Sequence, residues 1–280
     1  MKLEFTKMQG CGNDYVYVNG FTQKVEPEKK KEVVTALSDR HFGIGSDGVI
    51  FINPSEIADF EMEMYNADGS RAEMCGNGIR CVAKYVYDHG MTDKTDFTIE
   101  SFGKVKQIAV MAKNKNAELI RVDMGEPVLE PPKIPVRSKM ERVIDEPIEA
   151  DGREFRMTCV SMGNPHAVIF EDPDAIGLEK IGPVIENHKV FPNRTNTEFV
   201  KVLDRGNVRM RVWERGTGET LACGTGCCAT GVACVLNGLT DRKITVHVLG
   251  GDIEIEWNED DNHVYMTGPA ATVFKGEVEI

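Results

Sequence analysis

"MEMYNADGSRAEMCGNGIRC" (residues 62–81) reads as a strand, a polar turn and the mouth of a helix, with a cysteine set immediately before two glycines. A shift of 148 positions lays "MRVWERGTGETLACGTGCCA" (residues 210–229) on it without a gap. Only four of the twenty positions are identical, but the order of residue types agrees more widely. The same shift pairs Phe51 with Phe199 and Gly103 with Gly251, and a shift of 151 pairs "GNDYVYV" (12–18) with "GNPHAVI" (163–169). Self-similarity at one long period marks a duplicated unit.

Each copy reads strand, strand, helix, strands, helix, hairpin. "VIFI", "DFEMEMY", "TEFVKVL" and "VRMRVW" are strand runs, several with period-two alternation. "GNGIRCVAKYVYDHG" has helical spacing through Ile79, Val82, Ala83 and Val86, and its counterpart "GTGCCATGVACVLNG" is apolar nearly all round. A helix apolar on every side is buried, and both segments run into glycine, a capping signal. The expected fold class is therefore α+β. It has two pseudo-symmetric domains, each a mainly antiparallel β-sheet wrapped around a central buried helix, with the active site in the cleft between them.

Five of the twelve prolines lie between residues 127 and 147, which reads as a connector or irregular edge. The domain junction is placed near its start. Residues 1–125 then form an N-terminal domain carrying Cys75, residues 126–268 a C-terminal domain carrying Cys223, and the tail 269–280 returns to the first.

A chain of 280 residues, 41% hydrophobic and 28% charged, suits two ordinary globular domains. Its formal charge of −12 argues against a nucleic-acid partner. No apolar run approaches a membrane span, and the N-terminus lacks the form of a signal peptide. The expected location is cytoplasmic, with no membrane partner. None of the eight cysteines falls in a C-x-x-C, the usual mark of structural zinc or thioredoxin-like chemistry, so no metal is expected. Cys81 and Cys234 read as small buried packing residues. "GIGSDG" (43–48) matches G-x-G-x-x-G to the letter, but a helical segment precedes it and a strand follows. A dinucleotide site needs the opposite order, so this is read as a glycine-rich turn.

Two thiols at two helix mouths remain. A helix start carries unpaired N–H groups and about half a positive charge, and neighbouring glycines let an anion reach them. In that setting the thiol pKa of Cys75 and Cys223 is expected to fall. One such cysteine reads equally well as packing; two in matched positions point to function. If they face one cleft, a carboxylate held by the amides of Gly76, Asn77, Gly224 and Thr225 has its α-carbon between two sulfurs. That suits removal of a proton from one face and delivery to the other, with a thiolate as general base and a thiol as general acid. The helix ends would stabilise the charge that develops on the carboxylate. Such chemistry calls for no cofactor.

The motifs "GNDYV", "NADGSRAEMCGNGIRC", "SMGNPH", "ERGTGETLACGTG" and "YMTG", in order along nearly the whole chain, closely resemble the diaminopimelate epimerase family. The resemblance implies interconversion of LL- and meso-diaminopimelate without a cofactor, in lysine and cell-wall precursor synthesis, by a homodimer. It implies that Cys75 and Cys223 are the acid/base pair, assisted by His166 and Glu214. It implies that Asn13, Asn66, Asn164, Asn196, Glu214 and Arg215 hold the non-reacting end of the substrate, and that Gly76, Asn77, Gly224 and Thr225 hold the reacting carboxylate. Arg215 can fork onto a carboxylate, and amide side chains can serve both ammonium and carboxylate groups. Taken singly, these residues read as turn, strand-end or core positions.

One departure is Gly48, where some members carry a substrate-contacting Gln. The nearest alternative is a proline racemase or hydroxyproline epimerase, which uses paired cysteines likewise. Its first motif typically has His after Cys-Gly, where this chain has Asn77. A redox thiol protein is the alternative from another class; its cysteines would cycle through a disulfide.

Overall fold

In the computed structural model, which describes residues 1–72 and 74–280, contacts between residues divide the chain into two units. One comprises Met1–Val122 and Gly268–Ile280, the other Asp123–Thr267. The first runs β1 (Lys2–Gly10), β2 (Asn13–Asn19), α1 (Pro27–Ser38), β3 (Gly48–Asn53), β4 (Phe60–Asn66), β5 (Arg71–Ala72), α2 (Gly76–Asp88), β6 (Asp96–Ser101), β7 (Lys104–Lys113) and β8 (Asn116–Asp123). The second runs β9 (Glu146–Ala150), β10 (Arg153–Ser161), β11 (Pro165–Ile169), α3 (Leu178–Glu186), β12 (Asn196–Asp204), β13 (Asn207–Glu214), β14 (Gly218–Thr220), α4 (Gly224–Leu236), β15 (Lys243–Val248), β16 (Gly251–Trp257) and β17 (Val264–Pro269). The final strand, β18 (Ala271–Glu279), returns to the first unit and pairs antiparallel with β1.

Pairing repeats from one unit to the other. β2 and β3 are parallel, with Val16 opposite Val49; β11 and β12 are parallel, with Ala167 opposite Thr197. β3 and β4 are antiparallel with Val49 opposite Tyr65, and β12 and β13 with Thr197 opposite Trp213. Every one of these pairs is related by the shifts of 148 and 151 read from the sequence. The remaining contacts are mainly antiparallel, as the alternating strand runs require.

α2 packs on β1, β2, β7 and β18; α4 packs on β10, β11, β12, β15 and β16. Ile79, Val82, Ala83 and Val86 of α2 are fully buried, as are Cys227, Cys228, Ala229, Val232, Ala233 and Cys234 of α4. Enclosing a Val or Ile side chain contributes about 1.5–3 kcal/mol each, so each helix holds the strands around it. α2 is not wholly apolar: Arg80 is fully buried inside it. Both helices end at a glycine in the left-handed region, Gly90 at φ 64° and Gly238 at φ 69°, which an L side chain adopts only at a cost. Burial pushes the thiols of Cys81 and Cys234 up to about 12, in keeping with packing roles. The proline-rich stretch is irregular yet anchored, since Ile134, Val136 and Val143 join the core of the second unit.

"GIGSDG" connects the end of α1 to β3. The helix precedes it and the strand follows, which leaves no helix N-terminus to receive a pyrophosphate.

Candidate active site

In the first unit, β1 turns into β2 through Cys11 and Gly12, both at positive φ. This tight turn delivers Asn13 at the first position of β2. Its Nδ2 donates to Asp47 Oδ2 at 2.7 Å, and its Oδ1 accepts from Cys75 Sγ at 3.0 Å. Asp47 also takes a hydrogen bond from Arg40, at 2.9 Å, and Arg40 reaches Asp14 at 2.7 Å. Lys7 pairs with Asp14 from the other side. Burial pushes the Asp14 carboxyl up, but Arg40 and Lys7 together hold it below its ordinary value.

Cys75 is the N-cap of α2, and its sulfur accepts the Gly78 N–H at 3.2 Å. The thiol thus sits among the amides of the first turn, with Gly76 and Asn77 following it and both buried. Asn77 Oδ1 accepts from Arg80 at 2.9 Å, and Arg80 also donates to the Gly76 carbonyl at 3.2 Å. Asn66 stands opposite Gly48 at the end of β4. Its side chain donates to Ser70 Oγ at 3.0 Å, apart from the Asn13–Cys75 contact. A Cβ at Gly48 would lie 2.0 Å from the Tyr65 carbonyl oxygen and 2.8 Å from the Tyr15 ring. The strand has closed on the glycine, which leaves no space for the Gln of some relatives.

In the second unit the same turn recurs: Gly163, at φ 103°, precedes Asn164. Here the asparagine's Oδ1 lies 3.0 Å from His166 Nε2, and His166 Nδ1 lies 2.7 Å from Glu198 Oε1. His166 and Glu198 are both fully buried. Asn196, opposite His166 across β11 and β12, donates to the Pro165 carbonyl at 3.0 Å and accepts the Arg215 N–H at 2.8 Å. The Arg215 guanidinium donates to the Asn193 carbonyl at 2.9 Å. Glu214 takes the Thr220 hydroxyl at 2.5 Å and its charge acts on the Cys223 thiol.

Cys223 is the N-cap of α4, accepting the Gly226 N–H at 3.4 Å with Thr225 Oγ1 at 3.5 Å. Gly224 is buried in that first turn and Thr225 is half-buried. The expected fall in thiol pKa is overturned at Cys223. Burial raises it first, and the Glu214 and Glu198 carboxylates add to the rise, outweighing the Thr225 hydroxyl and the Gly226 amide. Burial likewise raises Glu214, against the opposing effects of Thr220 and His166.

The candidates thus collect into two clusters. In the first unit Asn13, Cys75, Gly76 and Asn77 are neighbours, and Asn66 stands opposite Gly48, with the Ala67 N–H on the carbonyl of Asp47. In the second, Asn164 joins His166, Asn196 joins Arg215, Cys223 joins Thr225, and Glu214, bonded to Thr220, acts on Cys223 through its charge. Four participants were not singled out from sequence: Asp47, Arg80, Glu198 and Gly226. The signal for Glu198 was present, since the shift of 148 puts it on Ile50, a charge on an apolar strand position. Among the described residues no group of histidine, cysteine and acidic side chains is placed to hold a metal ion.

A cysteine N-cap at each of two duplicated helix mouths is an uncommon pattern, and comparison with known proteins attaches it to a lineage. The sequence pattern of the family described as diaminopimelate epimerase matches residues 5–130 and 158–273. The chain belongs to the diaminopimelate epimerase family. Membership makes it an isomerase. The diaminopimelate epimerase of Acetivibrio thermocellus is 59% identical over 99% of each chain. That of Methanococcus maripaludis is 56% identical, covering 99% of this chain and 100% of the other. Among solved structures, a PhzF-family phenazine biosynthesis protein from Bacillus anthracis superposes with a TM-score of 0.72 at 17% identity, covering 100% of both chains. A hydroxyproline epimerase from Agrobacterium vitis does so with 0.70 at 14% identity, over 99% of this chain and 91% of the other. At such identities these likenesses establish the two-domain fold alone.

Proposed function

We propose that this protein interconverts LL- and meso-2,6-diaminopimelate by moving a proton between the two faces of one α-carbon, with Cys75 and Cys223 as the acid/base pair. The observation that carries the reading is the matched pair of cysteine N-caps, each with its sulfur among the first amides of a buried helix. Relatives named for this activity, 59% and 56% identical over nearly the whole chain, supply the substrate. In the reaction one sulfur, as thiolate, removes the α-proton while the other, as thiol, delivers its own to the opposite face. The amides of Gly76, Asn77, Gly224 and Thr225 receive the reacting carboxylate, where preorganised dipoles stabilise the developing negative charge. Asn13, Asn66, Asn164, Asn196, Glu214 and Arg215 hold the distal amino-acid end. His166 and Glu214 support the sulfur of the second unit.

Such an activity belongs to lysine and peptidoglycan precursor synthesis in the cytoplasm. No helix among the described residues is long and apolar enough to cross a membrane. A homodimer is part of the same reading, and exposed Val273 and Phe274 on β18 give it an apolar surface.

The test is the thiol-reduced protein with LL-diaminopimelate in deuterated water. Early meso product should carry solvent deuterium at the inverted carbon while recovered LL substrate carries far less. Equal early labelling of both pools rules out two bases, and absence of meso product rules out the activity.

A further inference from the structure

Glu186, the last residue of α3, is a buried acid at the end of a helix where the dipole disfavours negative charge. Three donors converge on it. Oε1 accepts from the Arg194 guanidinium at 2.9 Å and from the Gly216 N–H at 2.9 Å, while Oε2 accepts from Trp213 Nε1 at 2.7 Å. A carboxylate only accepts, and guanidinium, peptide and indole N–H groups only donate, so the direction of each contact is fixed.

The two segments that meet at Oε1 are the ones that carry Asn196 and Arg215. Arg194 stands two residues before Asn196, and Gly216 directly follows Arg215. The same segments are joined again by the Arg215 N–H on Asn196 Oδ1 at 2.8 Å and by the Arg215 guanidinium on the Asn193 carbonyl at 2.9 Å. Arg194 answers the charge of Glu186, and the Arg215 fork rests on a neutral oxygen. The duplicated unit is built without the acid. A shift of 148 puts Glu186 on Ser38 and Glu214–Arg215 on Asn66–Ala67. Ser38 Oγ accepts the Ser46 hydroxyl at 3.3 Å, and there loop and turn meet through the Ala67 N–H and the Asp47 carbonyl at 3.0 Å. The buried acid, costly in itself, thus occurs in the copy whose turn carries an arginine. A hydroxyl serves in the copy whose turn carries none.

We infer that Glu186 is a positioning residue for Arg215: through Arg194 and the Gly216 amide it holds residues 193–196 and 214–216 in one frame. The Arg215 fork and the Asn196 amide are thereby set before the distal end of a substrate arrives, which spares the cost of ordering them on binding. The inference rests on the proposed epimerase reading for its substrate, but the frame itself can be read without turnover.

The experiment compares the full-length parent with Glu186→Gln. Glutamine offers one accepting oxygen and one donating NH2 group where three N–H donors converge, so at least one contact opens. Hydrogen–deuterium exchange read by peptide mass spectrometry should quicken about tenfold in residues 193–196 and 214–217, and stay unchanged in the first turn of α2. The KM for LL-diaminopimelate should rise about tenfold, the weight of one hydrogen bond to a charged group, with kcat held within about twofold. In an Arg215→Ala background, Glu186→Gln should change KM less than about twofold, because the side chain it positions is gone. Arg194→Gln weakens the same contact from a half-exposed side chain and should raise KM in the same sense, so the test survives a Glu186→Gln protein that does not fold. Unchanged exchange in both segments of a folded Glu186→Gln protein overturns the inference. So does an undiminished KM effect in the Arg215→Ala background, or a KM that neither Glu186→Gln nor Arg194→Gln raises. Should the parent fail to epimerise diaminopimelate while exchange in the two segments still quickens, the epimerase reading falls and the positioning role stands.

Discussion

Gly226 packs directly on Glu198, and a methyl group in place of its hydrogen would stand 2.7 Å from a carboxylate oxygen that is enclosed and bonded to His166. The matching contact in the first unit, Gly78 on Ile50, first meets the tip of a flexible side chain at 2.9 Å, with Cys75 Cβ farther off at 3.3 Å. Replacing a helical glycine by alanine ordinarily gains up to about 1 kcal/mol, whereas overpacking a rigid site costs about 1–3 kcal/mol. Gly78→Ala should therefore leave the urea unfolding midpoint nearly unchanged, while Gly226→Ala lowers it clearly. Equal midpoints would show that the Glu198 pocket is not rigid.

Gly48 presents a harder limit. A Cβ there would be 2.0 Å from the Tyr65 carbonyl oxygen, a backbone atom that no rotamer change can move. Gly48→Ala and Gly48→Gln should both cost about 3 kcal/mol or more, at the upper end of overpacking. Gly48→Gln should not improve KM for diaminopimelate, although some relatives carry glutamine there. A stable Gly48→Gln variant with a lower KM would mean that β3 and β4 part easily.

Much of this architecture was legible because duplication writes it twice. The starts of α2 and α4 follow from Cys-Gly-x-Gly and their ends from Gly90 and Gly238; burial follows from the helical spacing of apolar residues in α2 and from a nearly all-apolar surface in α4. The register of β3 on β4 repeats in β12 on β13 at the same shift. Glu198 escaped because "TEFVKVL" alternates like a strand with one solvated face. Residues 196–200 are instead all buried, so the charge points into protein. Asp47 escaped because the G-x-G-x-x-G match drew attention to glycines that make a turn, while the acidic residue inside that turn is what holds Asn13. The thiol of Cys223 was misjudged for a related reason: helix amides lower a pKa, but local sequence does not show carboxylates brought in by β12 and β13.

That misjudgement has a chemical consequence. With its pKa raised well above the ordinary value by burial, Glu214 and Glu198, Cys223 is a thiol at neutral pH in the ligand-free protein. Its alkylation should follow the small thiolate fraction. Iodoacetamide with peptide mass spectrometry should therefore show Cys75, which is half-buried, modified well before Cys223 at pH 7. The Cys223 rate should climb about tenfold per pH unit from 7 to 9, since both ends of that range lie below its pKa. Faster labelling of Cys223 than of Cys75 at pH 7 would contradict the raised pKa of Cys223.

The acid side of the stability profile has a sign as well. Asp14 and Glu63 are partly buried, which pushes both up, yet Arg40 and Lys7 around the first, and Lys30 with its neighbours around the second, hold both below their ordinary values. A carboxyl depressed in the folded state contributes stability that is complete above the unfolded value, about 4 for either residue. That stability is lost as pH falls through the lower folded value. Unfolding free energy should be flat in this respect down to about pH 5 and fall below pH 4. In Asp14→Asn the acid slope should be shallower; an identical slope would remove Asp14 from the ion-paired cluster's contribution.

Two bases of unlike surroundings also predict how single-cysteine variants fail. Cys75 and Cys223 each take up or give one proton, and each serves one face of the α-carbon in the proposed reaction. Removing either stops inversion, because a carbanion formed by the survivor can only be reprotonated from the side it came from. Proton removal itself needs one sulfur alone. Cys75→Ala and Cys223→Ala should both lose net epimerisation, yet each should still exchange the α-hydrogen of one diaminopimelate stereoisomer with deuterated solvent. The two variants should choose opposite stereoisomers. The exchange is expected to be slower in the variant that keeps Cys223, whose thiol gives up its proton reluctantly beside Glu214 and Glu198. Proton NMR of LL- and meso-diaminopimelate incubated with each variant reads the outcome directly. If both variants exchange the same stereoisomer, the sulfurs do not address opposite faces.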